Sequence, residues 1–166
     1  MTLKPLALSV LAALIATPAL SLSCAPHEVT DTYQRLNAAE AQYVVVHGRL
    51  SFDEGQAPVG DGENPQSTPP DTFIPARITG KSLSKNGFSR VFDAPLTLNL
   101  QCIGPWCASA SSGQDVLAFL ERKPDGLYAL ALNACGGDGF LNPTAAQLKE
   151  AETCFAGGPC AVKYPN

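Results

Sequence analysis

The residues able to do chemistry in this chain are few. Six cysteines (Cys24, Cys102, Cys107, Cys135, Cys154 and Cys160) and two histidines (His27 and His47) stand among 166 residues. Cysteines serve as structural cystine, as zinc ligands or in thiol–disulfide exchange. Zinc wants C-x-x-C pairs with histidines nearby. No C-x-x-C occurs, and neither histidine lies near Cys102/Cys107 or Cys154/Cys160. Exchange chemistry also wants C-x-x-C, for which Cys102-x4-Cys107 is a poor substitute. That pair still defines the enzymatic alternative, a periplasmic enzyme or thiol-redox protein. Neither G-x-S-x-G nor H-E-x-x-H is present. His47, between a valine run and Gly48, reads as structural or exposed rather than catalytic. Asp61-Gly62-Glu63-Asn64 lacks the spacing of a calcium loop and reads as solvated. No metal or cofactor is expected.

The N-terminal residues set the compartment. Lys4 gives a positive start, Leu6 to Ala16 an apolar run, and Thr17 to Ser21 a small-residue end. This is the pattern of a signal peptide over residues 1–21, cut after Ser21, with a second permitted cut after Ser23. The apolar run is too short for a membrane span. A lipid on Cys24 is the weaker reading, because Ser21 stands where such signals carry leucine. All six cysteines follow the signal. An even count in an exported chain implies disulfides and leaves their connectivity open. The rest, 22–166, suits one domain, periplasmic or extracellular, with no second membrane span. The net charge of −4 argues against nucleic-acid binding. A monomer is expected.

Charged residues are only 16%, and 14 glycines with 14 prolines indicate many turns, so β structure is expected. Val29 to Glu40 predicts a helix with Val29, Tyr33 and Leu36 on one face and Thr30 or Asp31 as cap. Gln42 to Phe52 predicts the clearest strand, bent or bulged at Gly48. Asp53 to Asp71 carries no apolar period and reads as a long connection. Thr72 to Leu83 predicts a strand in which Pro75 marks an edge or bulge. Lys85-Asn86-Gly87 is a turn. Phe88 to Leu100 predicts one or two strands broken near Ala94-Pro95. Cys102 to Cys107 is a tight loop that carries Trp106, the sole tryptophan. Asp115 to Leu120 and Leu127 to Leu132 predict a hairpin about the turn Lys123 to Gly126. Gly136 to Asn142 reads as loop. Pro143 to Thr153 predicts a helix with proline in its first turn. About five strands with a helix near each end suit a small five-stranded Greek-key barrel of the OB type. A sandwich is the alternative, but seven strands are hard to find.

The order Cys24-Ala25-Pro26, helix, alanine-rich joint and "YVVVHGRL" resembles the tissue-inhibitor-of-metalloproteinases-like, or netrin-like, family. Later parts fit the same order: Cys107, "GQDVLAFL" from Gly113 to Leu120, Asp125-Gly126, and a strand running from Leu127 to Cys135. The resemblance implies an OB-like barrel and a disulfide between Cys24 and Cys135. Its loop of about 110 residues stabilises by roughly 4–5 kcal/mol on the chain-entropy model. The remaining pairs are then local, Cys102–Cys107 and Cys154–Cys160, each contributing about 2 kcal/mol on that model.

One departure matters. Domains of this family open with Cys-x-Cys-x-Pro. With Cys24 at the second cysteine, Leu22 stands at the first. In the inhibitors that terminal residue binds a protease's metal through its α-amino nitrogen and carbonyl oxygen, backbone groups that Leu22 also carries. The disulfide that fixes the terminus is missing, so the segment is less preorganised. The resemblance thus implies a disulfide-stapled, non-enzymatic binding module. Its contact ridge is Leu22, Ser23, Cys24, Ala25 and Pro26, the 53–71 loop assists, and an extracytoplasmic protease is one candidate partner.

Overall fold

A computed structural model describes residues 21–163. The signal-peptide expectation therefore lies outside the described residues, except for Ser21.

Strand β1 (Gln42–Phe52) spans the residues expected of it. Tyr43 and three successive valines favour pleated backbone. The strand is paired on both sides, antiparallel to β2 (Asp71–Ser84) and to β5 (Asp115–Arg122). β2 turns at Lys85-Asn86 into β3 (Gly87–Ile103), its antiparallel partner. β6 (Tyr128–Leu132) leaves β5 after two residue pairs and runs parallel to β3. The order β1-β2-β3-β6-β5 closes on β1 and makes a ring of five strands. β4 (Trp106–Cys107) adds to β3 and β7 (Gly139–Leu141) to β5, giving a seven-stranded mixed sheet.

Two cores follow from the pleat. Val46, Leu50, Ile74, Ile78, Leu98 and Leu130 fill the ring. On the opposite face of β1 and β5, Val45, Leu117 and Phe119 pack under the helices against Val29, Leu36, Phe140 and Ala151. β5 is buried on both faces from Val116 to Leu120. That is why its sequence is an apolar run rather than an alternation.

The structure corrects several expectations. Gly48 causes no break in register with either neighbour. It faces Gly80 across a close strand approach, where a Cβ would sit 2.6 Å from the Thr79 carbonyl oxygen. The irregularity lies instead between Ser82 and Leu83. β3 does not break at Ala94-Pro95. Pro95 pairs only with Arg77 of β2, and the β6 pairing begins at Leu96, so the missing N–H removes no ladder bond there. Pro75 follows the same rule. It pairs with Thr97, and the pairing of β2 to β1 starts at Ala76. β7 lies within the expected loop, since three residues after two glycines give no period to read.

Helix α1 (Val29–Asn37) ends before the expected Glu40. Its N-cap is Glu28, with no side-chain cap bond. Thr30 donates instead to Asp31. Helix α2 (Ala145–Phe155) is capped by Thr144 in a reciprocal pair with Gln147, so Pro143 precedes the cap rather than entering the first turn. The connection 53–71 contains two short 3-10 turns, Glu54–Gln56 and Pro65–Ser67.

Candidate functional site

Three disulfides close the fold, Cys24–Cys135 and Cys154–Cys160 toward the chain ends and Cys102–Cys107 at the turn from β3 to β4. They are the pairs the resemblance implies, and no cysteine is free. The first joins residues 111 apart, with Cα atoms 5.4 Å apart. It fastens the segment before α1 to the chain just beyond β6. Ser23, Cys24, Ala25 and Pro26 are exposed, and Leu22 is half-buried.

His27 forms the second anchor. Its ring stacks parallel on Phe140, with centroids 4.0 Å apart. Its Nε2–H donates to the Gly137 carbonyl at 3.0 Å, which fixes the neutral tautomer with Nδ1 bare. Burial lowers its pKa below the ordinary histidine value, partly offset by that backbone bond. Gly136 makes room for the ring. Its φ is 115°, and a Cβ there would lie 2.1 Å from Nδ1. Arg35 on α1 pairs with Asp138 at 2.6 Å, joining the helix to the same turn.

These groups border an open cavity of about 810 Å³ lined by Ala25, Pro26, Arg35, Gln101, Asn133 and Asp138, among others. Gln101 immediately precedes the Cys102–Cys107 hairpin. The N-terminal segment and the base of the hairpin therefore border the same cavity. The 53–71 connection reaches the hairpin too. Gly60 packs so closely on Pro105 that a Cβ would overlap its carbonyl oxygen. Pro65 and the Trp106 ring both lie against Gly104. Trp106 is half-buried, and Ile103 and Val59 are exposed.

The 53–71 connection is internally tied. The Asp61 carboxylate accepts from the backbone N–H groups of Glu63 and Asn64 and from the Ser67 hydroxyl. These bonds hold Asp61 below the usual carboxylate pKa. The acidic residues here thus organise a turn. At the other end of the chain, Lys163 bridges Glu28 and Glu150, each at 2.8 Å, and its backbone N–H donates to Asp31. Gln34 donates to the Cys160 carbonyl, so the C-terminal tail lies along α1.

His47, half-buried on β1, meets the Asp115 carboxylate at 2.8 Å and Phe88 edge-on. The pair went unseen in the sequence because its members are 68 residues apart. The register of β1 on β5 brings them together. Among the described residues no group of three His, Cys, Asp or Glu side chains gathers as a metal site. No family model, curated protein or solved structure matches the chain.

Proposed function

We propose that the protein is an exported, non-enzymatic binding module of netrin-like kind. Its five-strand ring is read as an OB-type barrel, and it offers its N-terminal segment to a protein partner. The ring order and its single parallel pair, β3 with β6, support the barrel reading. Three disulfides in one small chain support an oxidising, extracytoplasmic setting.

The observation that carries the functional reading is the Cys24–Cys135 bond. It holds an exposed segment, Ser23 to Pro26, beside the base of the Cys102–Cys107 hairpin. Exposure with covalent restraint reduces the entropy lost on docking. An extracytoplasmic metalloprotease is the candidate partner, engaged through the backbone nitrogen and carbonyl of Leu22. Leu22 carries no thiol, and Cys107 is bonded to Cys102, so the terminus has no second staple. Affinity should therefore be lower than in a doubly stapled inhibitor.

The test compares protein starting at Leu22 with the same protein carrying one extra N-terminal residue, against a set of zinc endopeptidases. The extension converts the α-amino nitrogen to an amide, a poor metal ligand. Inhibition that weakens by about tenfold or more on extension, or about 1.4 kcal/mol, supports the reading. Equal potency of the two forms, or no inhibition by either, removes the protease assignment.

A further inference from the structure

The outer face of β2, β3 and β6 carries a trough that the N-terminal reading does not use. Ile74, Leu98 and Leu130 point into the ring, so their neighbours point outward. In register, Phe73 faces Asn99 and Asn99 faces Ala131. Pro75 faces Thr97, and Thr97 faces Ala129. Because β6 presents only alanines outward, the surface sinks between the Phe73 rim and the wall beyond β6. Two depressions of about 280 and 240 Å³ adjoin there, sharing Phe73, Thr97, Leu127 and Tyr128. The second continues past Ala131 and Asp138 into the cavity beside Pro26.

Its chemistry is specific. Phe73 is 66% exposed and Leu127 53%, so an apolar rim stands in water. Beside it, Asp71 accepts from the amides of Asn99 at 2.7 Å and Gln101 at 3.0 Å. These two bonds hold Asp71 below the ordinary carboxylate pKa and set three planar polar groups in one array. The second Asp71 oxygen and the Gln101 amide oxygen remain as acceptors for hydroxyl donors. The backbone of β3 is paired on both sides here, so no polypeptide strand can add to it. The bordering cations are engaged, Lys123 with Glu121 and Arg35 with Asp138. With Asp125 in its lining and Asp71 two residues before Phe73 on the same strand face, the trough repels polyanions.

We propose that this trough binds a linear, uncharged oligosaccharide. The apolar C–H face of a pyranose ring packs on Phe73, its hydroxyls donate to Asp71 and Gln101, and the chain runs along the alanine floor. An exposed aromatic ring with a few fixed polar groups is the pattern of a site that orients its ligand.

The test is calorimetric titration of the oxidised protein with cellohexaose, chitohexaose, maltohexaose and mannohexaose, with a heparin hexasaccharide as the anionic probe. At least one neutral hexasaccharide should bind with a Kd of about 1 mM or tighter. The corresponding disaccharide should bind about tenfold more weakly, as should the hexasaccharide to Phe73→Ala. Phe73→Tyr should bind like the parent, and the exposed position should leave the melting temperature of each variant unchanged. Absence of saturable binding by all four neutral probes overturns the proposal. So does heparin binding without neutral binding, or a Kd unmoved by both Phe73→Ala and Asp71→Ala.

Discussion

Replacing both Cys24 and Cys135 by serine removes the longest covalent constraint in the fold. The bond closes a loop between residues 111 apart. On the chain-entropy model such a closure withholds about 16 cal/mol/K from the unfolded ensemble, or roughly 4–5 kcal/mol at 25 °C. The Cys154–Cys160 bond closes residues only 6 apart and contributes about 2 kcal/mol on the same model. A domain of ordinary stability has about 5–15 kcal/mol in total, so the first loss is severe and the second tolerable. In a chain of this size each kcal/mol shifts the melting temperature by about 2–4 °C. Calorimetry should therefore show a drop of about 10–20 °C for the Cys24/Cys135 double variant and about 4–8 °C for the Cys154/Cys160 double variant. Equal destabilisation by the two double variants would refute the reasoning, since it would make loop length irrelevant.

Other perturbations test other contacts. The lowered pKa of His27 means that the folded state favours the neutral ring. Its contribution is complete above the unfolded value of about 6.5 and is lost as pH falls through the lower folded value. Parent protein should thus lose more stability than His27→Gln between pH 7 and pH 5 in chemical denaturation, and parallel curves would contradict this. Gly80→Ala should cost about 1–3 kcal/mol or more. Its Cβ would meet the His47 carbonyl oxygen at 2.2 Å and force β1 and β2 apart, whereas a neutral result would mean the crossing is looser than described. Thr72→Val should raise stability by about 1 kcal/mol by removing a buried hydroxyl that has no hydrogen-bond partner. A decrease in the denaturation midpoint would show that the hydroxyl is satisfied.

How much was legible depends on whether the signal was local. β1 was readable because Tyr43 to Val46 is a β-favouring run and its neighbours are turn-formers. β5 was readable as an apolar run. The break assigned to Pro95 was a local inference overruled by topology, because Pro95 lies one residue outside the β6 pairing. β7 carries too few residues for a pattern, and only the place β6 leaves beside β5 makes it a strand. The parallel pairing of β3 and β6 has no sequence signature, since it is set by where β6 leaves β5. At the candidate site, the Cys24–Cys135 pair followed from a resemblance and not from spacing. His27 was seen only as one of two histidines. Its role needs Phe140 and Gly137, 113 and 110 positions away, and no local pattern joins them. The Asp71–Asn99–Gln101 array likewise exists only after β2 and β3 are in register.

The first disulfide also has a topological consequence. Residues 24–135 form one covalent circuit that contains β1 to β6, with β7 and α2 hanging from it as a tail. A protease cutting between Asp53 and Asp71, the longest connection in the circuit, opens the circle without releasing a fragment. The nicked chain gains only the mass of one water and stays in one piece until a reductant and a denaturant together separate the two fragments. Under oxidising conditions a cut in this connection therefore cannot detach the N-terminal segment from the ring.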